Sequence, residues 1–252
     1  MDDPILNLEE REAINNGRWF SSLSPSLRHD ILRCAYVKRF KDGDLISSRG
    51  ATPAAWIACA KGAVRVCSTS TTGKQVTFSY VEPGIWFGDV AIFDGDRRTH
   101  DAYAHGETSL LCVSRADFEK ILDMRPELYK ALMQLQARRI RQLFMMVEDL
   151  STLPLRARLA KRLNALLAAY GTAPQNRAAN GANGANEVNG DGAARIGLQL
   201  AQEELAQMLG ASRQRVNQEL KNMEREQVIR VEPAGLLVRD RAALRRIAEM
   251  NQ

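Results

Sequence analysis

The sequence is poor in the residues on which most catalytic and metal chemistry depends. It has three histidines and four cysteines in 252 residues. Cys34, Cys59, Cys67 and Cys112 are widely scattered, with no CxxC pair and no histidine pair nearby. That spacing excludes a zinc or iron–sulfur site and leaves four reduced, structural thiols as the expectation. Walker A, protein-kinase, GxSxG and HExxH motifs are all missing, so no enzyme activity is expected. Long apolar runs are missing too; none approaches the roughly 18 residues that span a bilayer. The acidic, polar start MDDPILNLEEREAINNGRW lacks the basic, then apolar, pattern of a secretory signal. A cytoplasmic protein without a membrane partner is expected.

Apolar residues make up 45% of the chain and charged residues 26%, enough for one or two globular domains. The net charge of +5 is unevenly placed. Residues 1–150 carry twenty basic and twenty acidic side chains, whereas residues 151–252 carry fifteen against ten. All of the positive excess therefore lies in the C-terminal part, which is the part expected to meet a polyanion.

Three regions follow from the patterning. In residues 17–125, short β-prone runs (AAWIACA, AVRVCST, QVTFSYV, SLLCVSR) alternate with glycine turns such as Lys61-Gly62 and Pro83-Gly84. This predicts an α+β fold whose first domain is an antiparallel, jelly-roll-like β-roll. Helices are predicted on either side of it, over Pro25–Cys34 with Ser24 as N-cap and over Arg115–Met124 with Ser114 as N-cap. Residues 126–152 read as one long helix. Met133, Ile140 and Val147 recur every seven residues, Leu143 and Leu150 follow two of them by three, and Gln136 holds the matching place one heptad earlier. A seam this narrow predicts a coiled-coil homodimer. Pro154 breaks the helix, and residues 153–252 form the third region, with an amphipathic helix over Leu155–Tyr170. Within it, Gly171–Ala194 is rich in Gly, Asn and Ala and reads as a flexible loop spanning residues 172–194.

The strongest local signal is LQLAQEELAQMLGASRQRVNQELKNMEREQVIRVEPAGLLVRD. Gln202–Leu209 predicts a short helix that Gly210 ends, and Ser212 caps a second helix whose buried stripe is Val216, Leu220 and Met223. Two helices joined by so tight a turn form a helix-turn-helix. QVIRVEPAGLLVR then reads as a β-hairpin wing turning at Pro233-Ala234-Gly235. Arg213, Gln214, Asn217 and Gln218 lie off the apolar stripe, and these side chains match guanine and adenine edges in the major groove. Ser212 and Arg215 suit phosphates. The expected partner is double-stranded DNA.

The ordering of glycine-punctuated β-roll, long helix and winged helix-turn-helix over residues 17–250 resembles the Crp/Fnr family of bacterial transcription regulators. The resemblance implies a homodimer on a two-fold-related site with half-sites one helical turn apart, and RNA polymerase as a further partner. WFGDVAIFDGDRRTHDAYA resembles the family's phosphate-binding cassette. By that resemblance Gly88 and Val90 offer backbone N–H groups, Asp89 stands where cyclic-AMP-binding members carry a ribose-holding Glu, Arg98 pairs with a phosphate and Thr99 adds a hydroxyl. Leu143 and Phe144 replace the Thr-Ser that meets adenine in those members, and His100-Asp101 replaces small residues. No cofactor is required. The resemblance implies a nucleotide effector, cyclic di-GMP or cyclic AMP; the alternative is a ligand-independent factor whose β-roll is structural or protein-binding. In the recognition helix, Arg213-Gln214-Arg215-Val216-Asn217-Gln218 replaces the Arg-Glu-Thr-Val-Gly-Arg of cyclic-AMP-type members. This implies a half-site that keeps one G and differs beside it.

Overall fold

The computed structural model describes residues 5–250 except 71, 74, 173–192, 233 and 234. The chain divides into two compact units that meet between Gln142 and Leu143.

The first unit begins with α1 (Leu8–Asn16), a single 3-10 turn at Phe20–Ser22 and α2 (Pro25–Arg33). Ser24 caps α2 by accepting from the Leu27 N–H, as its position before Pro25 predicts. Then come β1 (Ala35–Phe40), β2 (Leu45–Ser47), β3 (Ala55–Thr69), β4 (Gln75–Val81), β5 (Trp86–Phe87), the short α3 (Val90–Phe93), β6 (Asp101–Ser114) and α4 (Arg115–Met124). The strands form one antiparallel sheet in the order β1-β6-β3-β4, with β2 paired to β6 and β5 to β3. Ser114 caps α4, accepting from the Asp117 N–H at 3.1 Å.

One expected turn is not a turn. Lys61-Gly62 lies inside β3, which runs unbroken for 15 residues; the register against β6 shifts on either side of Lys61. Gly62 has φ +76°, and a Cβ there would meet the Glu107 carbonyl oxygen at 2.5 Å. The glycine therefore absorbs a β-bulge rather than reversing the chain.

The start of β3 is buried on both faces, and its alternation feeds two clusters. Trp56, Ala58 and Ala60 join the helices, while Ala55, Ile57 and Cys59 pack within the sheet with Leu110 and Cys112. The first cluster centres on aromatic rings: Trp56–Trp86 centroids are 4.2 Å apart, Trp56–Phe118 4.9 Å and Trp19–Trp56 5.6 Å. Trp19 also donates its indole N–H to the Ala131 carbonyl at 3.0 Å, tying this cluster to the next helix. The four thiols are free. Burial pushes Cys59 up to about 12 and Cys112 up to about 11, which keeps both protonated.

The long helix α5 (Glu127–Thr152) starts one residue after Pro126. Only Leu128 and Leu132 of it are buried. Met133, Ile140, Leu143, Val147 and Leu150 all lie exposed along it, at 43–70% of their full exposure. Gln136, the polar entry in the heptad pattern, turns to Asp89 of its own chain.

The second unit contains the rest of α5, α6 (Leu155–Tyr170), β7 (Gly171–Thr172), β8 (Ala194–Ile196), α7 (Gln202–Met208), α8 (Arg213–Arg225), β9 (Ile229–Glu232), β10 (Gly235–Val238) and α9 (Arg241–Glu249). Its sheet has the order β7-β8-β10-β9. The ends of the predicted loop over 172–194 are therefore strands: Thr172 pairs with Arg195, and Ala194 with Val238. This backbone pairing draws on neighbours that the local Gly/Ala composition does not reveal. The remainder of that predicted loop, and Pro233-Ala234 of the wing turn, lie outside the described residues. Among the described residues no helix is long and apolar enough to cross a membrane, and no group of three potential metal ligands occurs.

Candidate functional site

The DNA-reading candidate is built from the inside outward. Val216, Leu220 and Met223 of α8 are at most 1% exposed. Truncating any of them would cost about 2–5 kcal/mol, so they fix which face of α8 points away. At the other side of the tight turn, Gly210 has φ +60°, and the Ala211 N–H returns to the Ala206 carbonyl at 3.0 Å. Arg158 of α6 donates to the Leu209 carbonyl at 3.0 Å and so satisfies the C-terminal end of α7. Ser212 starts α8 with extended backbone and accepts from the Arg215 N–H at 3.3 Å. At the far end of α8, Arg156 of α6 grips both carboxylate oxygens of Glu226. Burial slightly opposes this pair, but the hydrogen bonds from Arg156 hold the Glu226 carboxyl below its ordinary value.

What remains outside is the set expected from sequence. Ser212, Arg213, Gln214, Arg215 and Gln218 are exposed and Asn217 is half-buried. Gln218 donates to Asn222 one turn on, at 3.0 Å, so Asn222 joins the same face. Sequence reasoning passed over Asn222, although its i+4 spacing from Gln218 was visible. It also passed over Arg156, Arg158 and α9, where Asp240 caps by accepting from the Ala243 N–H at 2.8 Å.

The anion-cassette candidate lies in the first unit. Gly88 has φ +82°, and a Cβ there would lie 2.4 Å from Arg98 Nη1. Only glycine lets the guanidinium pass this close. Arg98 donates from Nη1 to the Gly88 carbonyl at 2.8 Å and from Nη2 to the Ala55 carbonyl at 2.7 Å. Burial pulls its guanidinium below the ordinary value, with Asp89 acting in the opposite sense. Arg98 is thus held as a charged strut across the cassette with three N–H groups unspent on these two carbonyls.

Asp89 is fully buried and does not stand open beside Arg98. Arg139 of α5 donates to its two oxygens at 3.0 and 3.1 Å, and Gln136 donates to Oδ2. Arg139 also donates to the Trp86 carbonyl. Val90 and Thr99 are exposed, and Thr99 Oγ1 lies 2.8 Å from His100 Nδ1. The structure therefore gathers Gly88, Asp89 and Arg98, and adds Gln136 and Arg139, which sequence reasoning did not assign to the cassette.

Residues 37–125 match the cyclic nucleotide-binding domain family, and residues 157–247 match the Crp-like helix-turn-helix domain family. The CRP-like cAMP-activated global transcriptional regulator of Mycobacterium tuberculosis is 27% identical over 229 residues, covering 91% of this chain and 95% of that protein. A solved CRP/FNR-family transcriptional regulator from Thermus thermophilus aligns with a TM-score of 0.67 at 24% identity, over 86% of this chain and 100% of that one. The c-di-GMP responsive global regulator CLP of Xanthomonas campestris aligns with a TM-score of 0.65 at 14% identity, over 86% and 99%. These two structures share the fold. With both domain matches present in this order on one chain, the protein belongs to the Crp/Fnr family of transcription regulators, carrying a cyclic nucleotide-binding domain followed by a Crp-like helix-turn-helix.

Proposed function

We propose that the chain is a homodimeric, sequence-specific DNA-binding regulator, controlled by a cyclic phosphodiester second messenger held at Gly88, Val90, Arg98 and Thr99, with the buried Asp89 bracing the cassette from behind through Arg139 and Gln136 rather than touching the ligand. The observation that carries the DNA reading is the exposed Arg213, Gln214, Arg215 and Gln218 face, fixed from behind by Val216, Leu220 and Met223. Arg213 and Gln214 would read base edges with Asn217 and Gln218, while Ser212, Arg215 and the first N–H groups of α8 would hold phosphates. The exposed seam Met133, Ile140, Leu143, Val147 and Leu150 supports pairing of two copies. Bound to promoters, such a dimer would recruit or obstruct RNA polymerase.

For the effector, the M. tuberculosis relative is cAMP-activated by name. Cyclic AMP and cyclic di-GMP share the phosphodiester that an arginine, a hydroxyl and turn N–H groups recognise. Either can act only through differential affinity for two states of the protein. A binding-site selection with and without each compound tests the whole reading. The expected result is a two-fold-related motif whose occupancy responds to one of them, and random recovered sequences would overturn it.

A second reading has its own observation. Asp89 is already spent on Gln136 and Arg139, and Arg98 gives two of its five N–H groups to backbone carbonyls, so both side chains are held in place by the protein itself. A ligand-independent regulator would show the same motif and no response to either compound.

A further inference from the structure

The bend that leads from the cassette into β6 carries a histidine that the phosphate reading does not use. His100 is half-buried. Its Nδ1 lies 2.8 Å from Thr99 Oγ1, and its ring stands edge-on to Phe78 of β4 with centroids 4.6 Å apart. The charged groups acting on it come from two places: Arg49, in the segment after β2, and Asp101, the next residue, which opens β6. These two are themselves joined, because Asp101 accepts from the Arg49 N–H at 2.8 Å. From β4 the neighbour is the uncharged Phe78 ring. Burial, then Arg49, hold the imidazole below its ordinary value, with Asp101 opposing them. His100 is accordingly neutral at neutral pH, with one ring nitrogen a donor and the other an acceptor.

The Thr99 hydroxyl has a single proton to give. With His100 neutral, that proton can go to Nδ1. A phosphate oxygen seated at Thr99 claims the same proton, and Thr99 Oγ1 can then only accept from His100. The neutral Nδ1–H tautomer can give that hydrogen bond without any proton uptake, but an anion one hydrogen bond away favours the imidazolium over either neutral tautomer.

We propose that a phosphodiester bound at Arg98 and Thr99 draws one proton from solvent onto His100, whose imidazolium then donates through Nδ1 to Thr99 Oγ1, so that ligand and proton bind together. This rests on Arg98 and Thr99 being the phosphate site. A phosphodiester keeps one negative charge throughout the neutral range, so a proton taken up must land on the protein. With a bound-state value above the free-state value, affinity rises as pH falls, by up to about tenfold per pH unit between the two.

The test is calorimetric titration of the full chain with cyclic AMP and with cyclic di-GMP, across the range from mildly acidic to mildly basic pH. Each titration is run in two buffers of different ionisation heat, for the parent and for His100→Asn. The expected result is uptake of up to one proton per site by the parent, and tight but pH-independent binding by His100→Asn. Ring-proton NMR should show one of the three histidines shifting its titration upward on saturation. Binding without proton uptake, or uptake unchanged in His100→Asn, overturns this proposal and spares the phosphate site. Failure of both compounds to bind at any pH overturns the phosphate reading and the proposal with it.

Discussion

Arg139 reaches from the long helix to Asp89 and donates to both oxygens of its carboxylate, which is wholly buried. Removing the cation would leave that carboxylate without a charged hydrogen-bond partner among the described residues, and neither Gln136 nor the coulombic pull of Arg98 replaces it. Arg139→Met should therefore destabilise the first unit by about 3 kcal/mol. Asp89→Asn combined with Arg139→Met removes both charges and should recover most of the loss. Denaturant unfolding followed by tryptophan fluorescence reads this directly, because Trp19, Trp56 and Trp86 all sit in one cluster of this unit. Equal stability of the single and double variants would mean that the pair is not coupled.

The recognition helix separates two kinds of contact. Arg213→Ala should cost about 1–3 kcal/mol on the preferred site and relax selection at one base pair. Arg215→Ala should weaken all sequences alike and lower the salt slope by about one. Binding isotherms on a matched and a scrambled duplex at several salt concentrations distinguish them. If Arg213→Ala leaves sequence preference intact, that side chain does not read a base.

Much of this was legible where the signal is local. Ser24, Ser114 and Ser212 cap the helices they precede, and Gly210 takes the left-handed conformation its place predicts. Local signals misled at Lys61-Gly62, because a glycine with positive φ serves a bulge as readily as a turn. Only the Glu107 carbonyl, packed across the sheet, decides between them. Gln136 read as a flaw in a heptad seam, and its reason lies 47 residues away at Asp89. The α9 helix was legible and missed: Leu244, Ile247 and Ala248 are buried at helical spacing behind the Asp240 cap.

The exposed seam makes a sharp claim about assembly. Val147 is 62% exposed and lies in the apolar repeat between Leu143 and Leu150. If two copies pair along it, Val147→Glu loses about 1.5 kcal/mol of apolar burial in each copy, before any charge cost. That raises the dimer dissociation constant by about a hundredfold. Sedimentation velocity across a dilution series should show monomer where the parent is dimer, and binding to a two-fold site should weaken in step. An unchanged sedimentation profile would place the interface elsewhere.

Glu10 offers a pH signature. It is 1% exposed, and Arg39 donates to it at 2.7 Å. Burial alone would raise its carboxyl, but hydrogen bonds from Arg39, Ser109 and the Asn7 N–H outweigh burial and hold it below the ordinary value. A depressed carboxyl contributes stability above its unfolded-state value and loses it as pH falls through the folded-state value. Stability of the parent should therefore drop in the acid range below the ordinary carboxylate value. Glu10→Gln should start lower at neutral pH and show a shallower acid loss. Parallel acid profiles for the two proteins would count against this role.

Gln227 is the only non-glycine residue among those described with positive φ, at 61°. It sits between the end of α8 and β9, where the Val228 N–H returns to the Met223 carbonyl at 3.0 Å and locks the bend. Its side chain offsets part of the strain, accepting from Arg239 and donating to the Glu224 carbonyl at 3.4 Å. Both contacts are solvent-exposed and weak, whereas left-handed backbone costs a residue with a Cβ about 1 kcal/mol. Gln227→Gly should hold or raise the melting temperature of the second unit. Gln227→Val, β-branched and without the contacts, should lower it by several degrees, since a small domain shifts about 4–8 °C per kcal/mol. The order Gly, Gln, Val in thermal unfolding is the expected outcome. A glycine variant less stable than the valine variant would show that the side-chain contacts, not the backbone angle, hold this bend.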